Sequence, residues 1–106
     1  NMLELHHDPK MAWALNNRHV FPLDLNAADK SMLLRVPGLG VTSVNKILSI
    51  RRYGSLSWHD LVKMRLPLDK LKPFICVRDY KPPLHLLDTA HLSEMMRKPE
   101  QIELFG

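Results

Sequence analysis

Leu34-Arg35-Val36-Pro37-Gly38-Leu39-Gly40-Val41 joins the apolar end of one helix to the start of another. Pro37 and Gly38 stop a helix, and a second apolar-periodic stretch begins at once at Val41. The expected product is a tight turn between two helices with bare backbone at its tip. Glycine there accepts backbone angles that other residues resist, and it leaves no side chain in the way. Unpaired amides at a helix N-terminus attract anions, phosphate among them. The spacing therefore marks the N–H groups of Gly38, Gly40, Thr42 and Ser43 as a candidate phosphate cradle.

The rest of the chain reads outward from this turn. Upstream, Asn26 is a suitable N-cap for a helix over residues 27–35, with Asp29 in its first turn. Downstream, Val41, Val44, Ile47 and Leu48 recur at helical spacing and predict a buried face on a helix over 41–51, leaving Lys46 and Ser49 outside. Tyr53-Gly54 fits a left-handed C-cap. Ser57 with Asp60 forms a capping-box pattern ahead of Leu61, Val62 and Met64. After Arg65-Leu66-Pro67 a short helix over 68–72 is expected, with Leu68, Leu71, Phe74 and Ile75 on its core side and Pro73 ending or kinking it. Near the N-terminus, Asp8-Pro9 predicts a capped helix with proline at its first position, closing near Asn16-Asn17. Phe21-Pro22 reads as an extended connector. A proline-interrupted tail follows Cys76, with one more helix expected from Asp88 or Thr89 to Arg97. No stretch shows strand alternation, so the expected class is all-α.

The chain has 106 residues, 45% hydrophobic and 25% charged, which suits a small globular fold. No apolar run approaches the roughly 20 residues that span a bilayer. No apolar h-region opens the chain, and its one cysteine, Cys76, suits a reducing compartment and excludes a cysteine cage within the chain. The expected location is the cytoplasm, with no membrane partner. Net charge is +4, unevenly spread. Residues 27–81 hold eleven Lys/Arg against four Asp, a local +7, whereas the flanks sum to −3. Basic charge centred on a phosphate-ready turn is the footprint of a nucleic-acid binder. Lys46, Arg51, Arg52 and Lys70 are the cations expected to add longer-range attraction.

Residues 26–75 resemble the tandem helix-hairpin-helix domain of bacterial competence DNA receptors and of many repair nucleases, glycosylases and polymerases. The resemblance rests on Leu25-Asn26-Ala27-Ala28, Val36-Pro37-Gly38-Leu39-Gly40, Ile47-Leu48 with Arg51-Arg52, Tyr53-Gly54-Ser55-Leu56, Asp60-Leu61, and Lys70-Leu71-Lys72-Pro73-Phe74-Ile75, in the family's order. It implies an N-terminal helix and connector over 1–25, the tandem domain over 26–75 and a loose tail over 76–106. It also implies sequence-independent contact with the DNA backbone through Gly38, Leu39, Gly40, Thr42 and Ser43. A monovalent cation held by the carbonyls of Leu34, Val36 and Leu39 belongs to the same implication. Two features depart from the family. Thr42 and Ser43 stand where a lysine is common, and the second hairpin, Met64-Arg65-Leu66-Pro67, has no glycine. The second hairpin is therefore expected mainly as a packing partner, with Lys70 reaching DNA. A protein-interaction module that keeps the fold without touching DNA is the alternative.

The stretches Asp8-Pro9-Lys10, Ala12-Trp13-Ala14 and Phe21-Pro22-Leu23-Asp24 look like the junction ahead of this domain in bacterial DNA modification or repair proteins of the radical S-adenosylmethionine class. That implies a larger parent enzyme carrying an iron–sulfur cluster and S-adenosylmethionine. Such a cluster needs three spaced cysteines, so this chain is expected to be non-catalytic and to hold neither. At the other end, Gln101-Ile102-Glu103-Leu104-Phe105 resembles the bacterial sliding-clamp-binding peptide. In that resemblance Ile102, Leu104 and Phe105 supply apolar anchors and Gln101 the polar contact.

Other chemistry-bearing residues carry less. His6-His7 lacks a third ligand at useful spacing. Cys76 beside Arg78 has no His or Asn partner. Trp13 and Trp58 can stack on bases, but their helical spacing with Leu and Met favours core positions. Asp60, Asp69 and Asp79 do not form a metal-nuclease pattern.

Overall fold

The computed structural model describes residues 8–87. The chain is mostly helical. Helix α1 (Pro9–Asn16) starts as expected, with the Asp8 carboxylate accepting from the Met11 amide at 3.1 Å. A 3-10 turn over Arg18–Val20 and a cis Phe21–Pro22 bond lead to β1 (Leu23–Asp24). Helices α2 (Lys30–Leu33), α3 (Val41–Ile50), α4 (Trp58–Lys63) and α5 (Leu68–Leu71) follow. The chain then forms β2 (Ile75–Cys76) and a second 3-10 turn over Leu84–Leu87. The C-terminal helix expected after Asp88, His6-His7 and the terminal peptide lie outside the described residues.

The all-α expectation is corrected by β1 and β2, which pair in parallel with Leu23 opposite Ile75 and Asp24 opposite Cys76. The Leu23 amide donates to the Phe74 carbonyl at 2.8 Å and the Leu25 amide to the Cys76 carbonyl at 3.0 Å. Two-residue strands have no alternation to read, and their partners lie about fifty residues apart in the chain. The pair clasps the two ends of the α2–α5 segment together.

Helix α2 is shorter than expected. Its N-cap is Asp29, whose carboxylate accepts from the Met32 amide at 3.0 Å. Asn26 does different work. Its side-chain oxygen accepts from the Leu56 amide at 2.6 Å, and its side-chain amide donates to the Leu56 carbonyl at 3.2 Å. An Asn side chain matches a peptide group in donors and acceptors, so Asn26 mimics a strand partner and fixes the segment ahead of α4. Residues 24–28 form a turn, with the Ala27 and Ala28 amides on the Asp24 carbonyl.

The end of α3 also differs. Gly54 is not left-handed. The helix closes through short-range bonds from Arg52 to Ser49 and from Tyr53 to Ile50. The Ser57–Asp60 capping box forms as expected, and the Asp79 carboxylate accepts the Trp58 amide at 2.7 Å. α5 ends at Leu71, ahead of Pro73.

The core draws on all five helices, on β2 and on the connecting turns. Met11 and Ala14 of α1 meet Phe21, Leu25, Leu33, Val36, Leu39, Val44, Ile47, Leu56, Leu61, Leu71, Phe74, Ile75 and Val77. Phe21 sits edge-on to Phe74 at 5.1 Å and to Trp13 at 6.1 Å, a favoured aromatic geometry. The predicted buried face of α3 holds at Val44, Ile47 and partly Leu48, but Val41 is 59% exposed. Val41 opens the helix at the tip of the turn, where no other element among the described residues covers it.

Candidate nucleic-acid interface

The α2–α3 turn contains two glycines with different physical duties. Gly38 has φ +98°, where a Cβ atom is costly. A Cβ there would also lie 3.1 Å from Leu71 Cδ2 and 3.2 Å from Pro67 Cγ. Gly38 is therefore required by the fold, because it lets the first turn seat against the second. Gly40 is the N-cap of α3, with φ −102° and ψ −177°, extended backbone that any residue adopts. A Cβ on Gly40 would meet nothing within 4 Å. Nothing among the described residues needs Gly40 to be bare.

The second turn shares one backbone feature with the first and departs at the N-cap, where Pro67 has ψ 80° against −177° at Gly40. Arg65 takes φ +58° three residues ahead of Leu68, as Gly38 takes a positive φ three residues ahead of Val41. Pro67 replaces Gly40 as N-cap and has no N–H to offer.

At the first turn, no described residue accepts a hydrogen bond from the amides of Gly38, Gly40, Val41, Thr42 or Ser43. Gly40, Val41 and Thr42 are exposed, and Gly38 and Ser43 half-buried. The Gly40 N-cap supplies no side chain to the first turn of α3. The helix dipole adds about 0.3–1 kcal/mol toward a nearby anion. The arrangement has the chemistry to hold an anionic oxygen by several amides at once. Beyond the tip, the exposed face of α3 continues through Thr42, Asn45, Lys46 and Ser49 to Arg52 and Tyr53, over a helix of about 15 Å.

The expected site residues divide on inspection. Thr42, Lys46 and Arg52 are exposed on this face and Ser43 is half-buried beside the tip; none of the four makes an ion pair among the described residues. Leu39 has its side chain buried, its amide on the Val36 carbonyl at 3.1 Å and its own carbonyl engaged. Arg51 turns its guanidinium to the carbonyls of Leu25 at 3.0 Å and Ala28 at 2.7 Å. It binds α3 to the turn before α2. The Lys70 ammonium pairs with the Asp8 carboxylate at 2.8 Å. Partial burial alone would raise the Asp8 carboxyl, but Lys70 and the Met11 and Lys10 amides together hold it below the ordinary range.

Lys10 was not singled out by the sequence. Its ammonium donates to the Leu39 carbonyl from 29 residues away, a separation that leaves no local signal. Arg35 was also missed as a contact. Its guanidinium lies 4.5 Å over the Trp13 ring, a cation–π pair that fixes α1 against the α2–α3 turn.

Two of the three carbonyls expected to hold a monovalent cation are already engaged. The Leu39 oxygen carries the Lys10 ammonium, and the Val36 oxygen accepts the Leu39 amide. A second positive charge about 4 Å from the ammonium meets repulsion of about 4 kcal/mol at an effective dielectric of 20. Elsewhere, no three His, Cys, Asp or Glu side chains gather as a metal set among the described residues. Burial, followed by the Asp24 carboxylate, pushes the Cys76 thiol up, away from the reactive thiolate. Trp13 packs with Phe21, and Trp58 with Tyr80 at 4.6 Å. No helix among the described residues is long and apolar enough to cross a membrane. Comparison with protein-family models, with curated proteins and with solved structures found no match to this chain.

Proposed function

We propose that this chain is a non-catalytic DNA-binding module of the tandem helix-hairpin-helix kind. It grips the phosphate backbone through the amides at the start of α3 and reads no sequence. The observation that carries the proposal is a set of amides, those of Gly40, Val41 and Thr42 on exposed residues, that find no acceptor among the described residues at a glycine tip. Lys46 and Arg52 on the same helix face favour a polyanion over a single phosphate. Contacts of this type position a protein on DNA without discriminating bases. The module would deliver an attached modification or repair enzyme to its substrate, and the radical S-adenosylmethionine class is the parent that the N-terminal junction suggests. The Gln101–Phe105 peptide would add a sliding-clamp contact. Unchanged affinity for a bacterial clamp in the Leu104→Ala, Phe105→Ala chain would remove that part.

Titration of fluorescently labelled duplexes tests the central proposal. Affinity should be alike for unrelated sequences and fall with salt, each neutralised phosphate contributing about −0.9 to the slope of log K against log salt. A flat salt response would reject it. Val41, 59% exposed at the tip, is what favours the rival protein-interaction reading. Loss of a protein partner, with DNA affinity unchanged, on Val41→Ser would support the rival.

A further inference from the structure

The α2–α3 turn has a positive charge built into it. Lys10 lies in the first turn of α1, and its ammonium rests on the Leu39 carbonyl. Leu39 and Gly40 share that peptide group. In a trans peptide the C=O and N–H point in opposite directions, and the one cis bond among the described residues is Phe21–Pro22. The Gly40 amide therefore points away from Lys10, on the side left open to solvent. A cation on the carbonyl draws electron density from the peptide and makes its N–H a stronger donor, by about 10–30% for coupled hydrogen bonds. It also fixes the plane of the peptide, and so the aim of the amide.

The first turn of α1 is itself held from two sides. Asp8 caps the helix and pairs with Lys70 of α5. Met11 and Ala14 are buried in the core, and Arg35 stacks on Trp13. Lys10 thus projects from a rigid base onto a turn whose Val36 and Leu39 carbonyls are both engaged.

We propose that Lys10 is a positioning residue for the anion cradle: its ammonium takes the place of a free monovalent cation, orienting and polarising the Leu39–Gly40 peptide so that the Gly40 amide is presented to a phosphate oxygen. The inference rests on the phosphate-binding function proposed above. It separates Lys10 from the cations that attract DNA directly, because Lys10 stands behind the peptide and neutralises no phosphate.

The test uses the 106-residue chain with Lys10→Met and Lys10→Arg. Lys10→Met should weaken duplex binding about fivefold, the worth of one ordinary hydrogen bond, with the salt slope of the parent chain retained. Lys10→Arg, which keeps a charged donor, should restore most of the affinity. The parent chain should bind DNA equally in potassium chloride and choline chloride at matched ionic strength. In the free protein, the Gly40 amide resonance should move in Lys10→Met and return toward its parent position in Lys10→Arg. A salt slope shallower by about 0.9 in Lys10→Met would make Lys10 a phosphate contact and overturn the proposal. A preference of the parent chain for potassium over choline would do so too, as would an unmoved Gly40 resonance. Should Lys10→Met fail to fold, Lys10→Gln, which removes the charge and keeps a polar side chain, takes its place for the resonance, and the cation comparison on the parent chain still decides. If the parent chain binds no DNA, the module function fails, while the Gly40 resonance still judges the Lys10 contact.

Discussion

Replacing Gly40 with Asp places a carboxylate at the N-cap of α3. The backbone there is already extended, and a Cβ meets nothing within 4 Å, so the substitution introduces no strain. An N-cap side chain accepts from the amides two and three residues on, here Thr42 and Ser43, which have no acceptor among the described residues. Asp over Gly at an N-cap is worth a few tenths of a kcal/mol in hydrogen bonding, and about 0.3–1 kcal/mol from the helix dipole. A gain of about 1 kcal/mol raises Tm by about 4–8 °C in a domain of this size. The same carboxylate occupies the place proposed for phosphate and repels it. Two like charges 4 Å apart cost about 4 kcal/mol at an effective dielectric of 20, and a third of that is about tenfold in affinity. Gly40→Asp should therefore melt higher and bind duplex DNA at least about tenfold more weakly. Gly40→Asn, with the cap but not the charge, should lose less. Thermal melts by circular dichroism and fluorescence anisotropy measure the two quantities. Parent-like DNA affinity in a folded Gly40→Asp chain would mean that phosphate does not sit on these amides. A lowered Tm would mean that the N-cap geometry is wrong.

Three further outcomes follow from the structure. Gly38→Ala should destabilise by about 2 kcal/mol or more, because φ is +98° and Leu71 and Pro67 crowd the new Cβ; urea denaturation with an unchanged midpoint would contradict this. Arg65→Gly should stabilise by about 0.5–1 kcal/mol, the relief of a left-handed residue at φ +58° less the extra chain entropy of glycine; a lower urea midpoint would show that the arginine side chain supports the turn. The third concerns acid. The Asp8 carboxyl is held below its ordinary pKa in the folded chain, so its contribution is present above the unfolded-state value and is lost as pH falls through the folded-state one. Asp8→Asn should be less stable than the parent chain at neutral pH, and the difference should close in acid. A gap between the two urea midpoints that stays constant down the pH scale would assign the effect to something other than the Asp8 charge.

Much of the helical framework was legible without coordinates. The starts of α1 and α4 follow from Asp8-Pro9 and from Ser57 with Asp60, because a cap is satisfied within three residues of itself. α3 was read to within a residue, since its apolar positions recur over three turns. The turn over residues 37–40 was equally plain from proline and glycine. Where a contact partner lies far along the chain, the sequence was silent or misleading. Asn26 has the sequence context of a local cap and pairs with Leu56 instead. Arg51 and Lys70 stand in the sequence as cations free to face a polyanion, and the fold gives their charged ends to Leu25, Ala28 and Asp8.

Local chemistry in the sequence determined that the chain is mainly short helices joined by tight turns, and that one turn is glycine-rich and followed by a helix N-terminus. Periodicity and capping act over three or four residues, and that range is written in the sequence. Tertiary structure alone decided that Gly38 serves packing while Gly40 stays open, that β1 meets β2, and that Lys10 stands behind the peptide of the turn. Those outcomes depend on which distant groups the core brings together, and a long side chain binds whatever acceptor packing places within its reach.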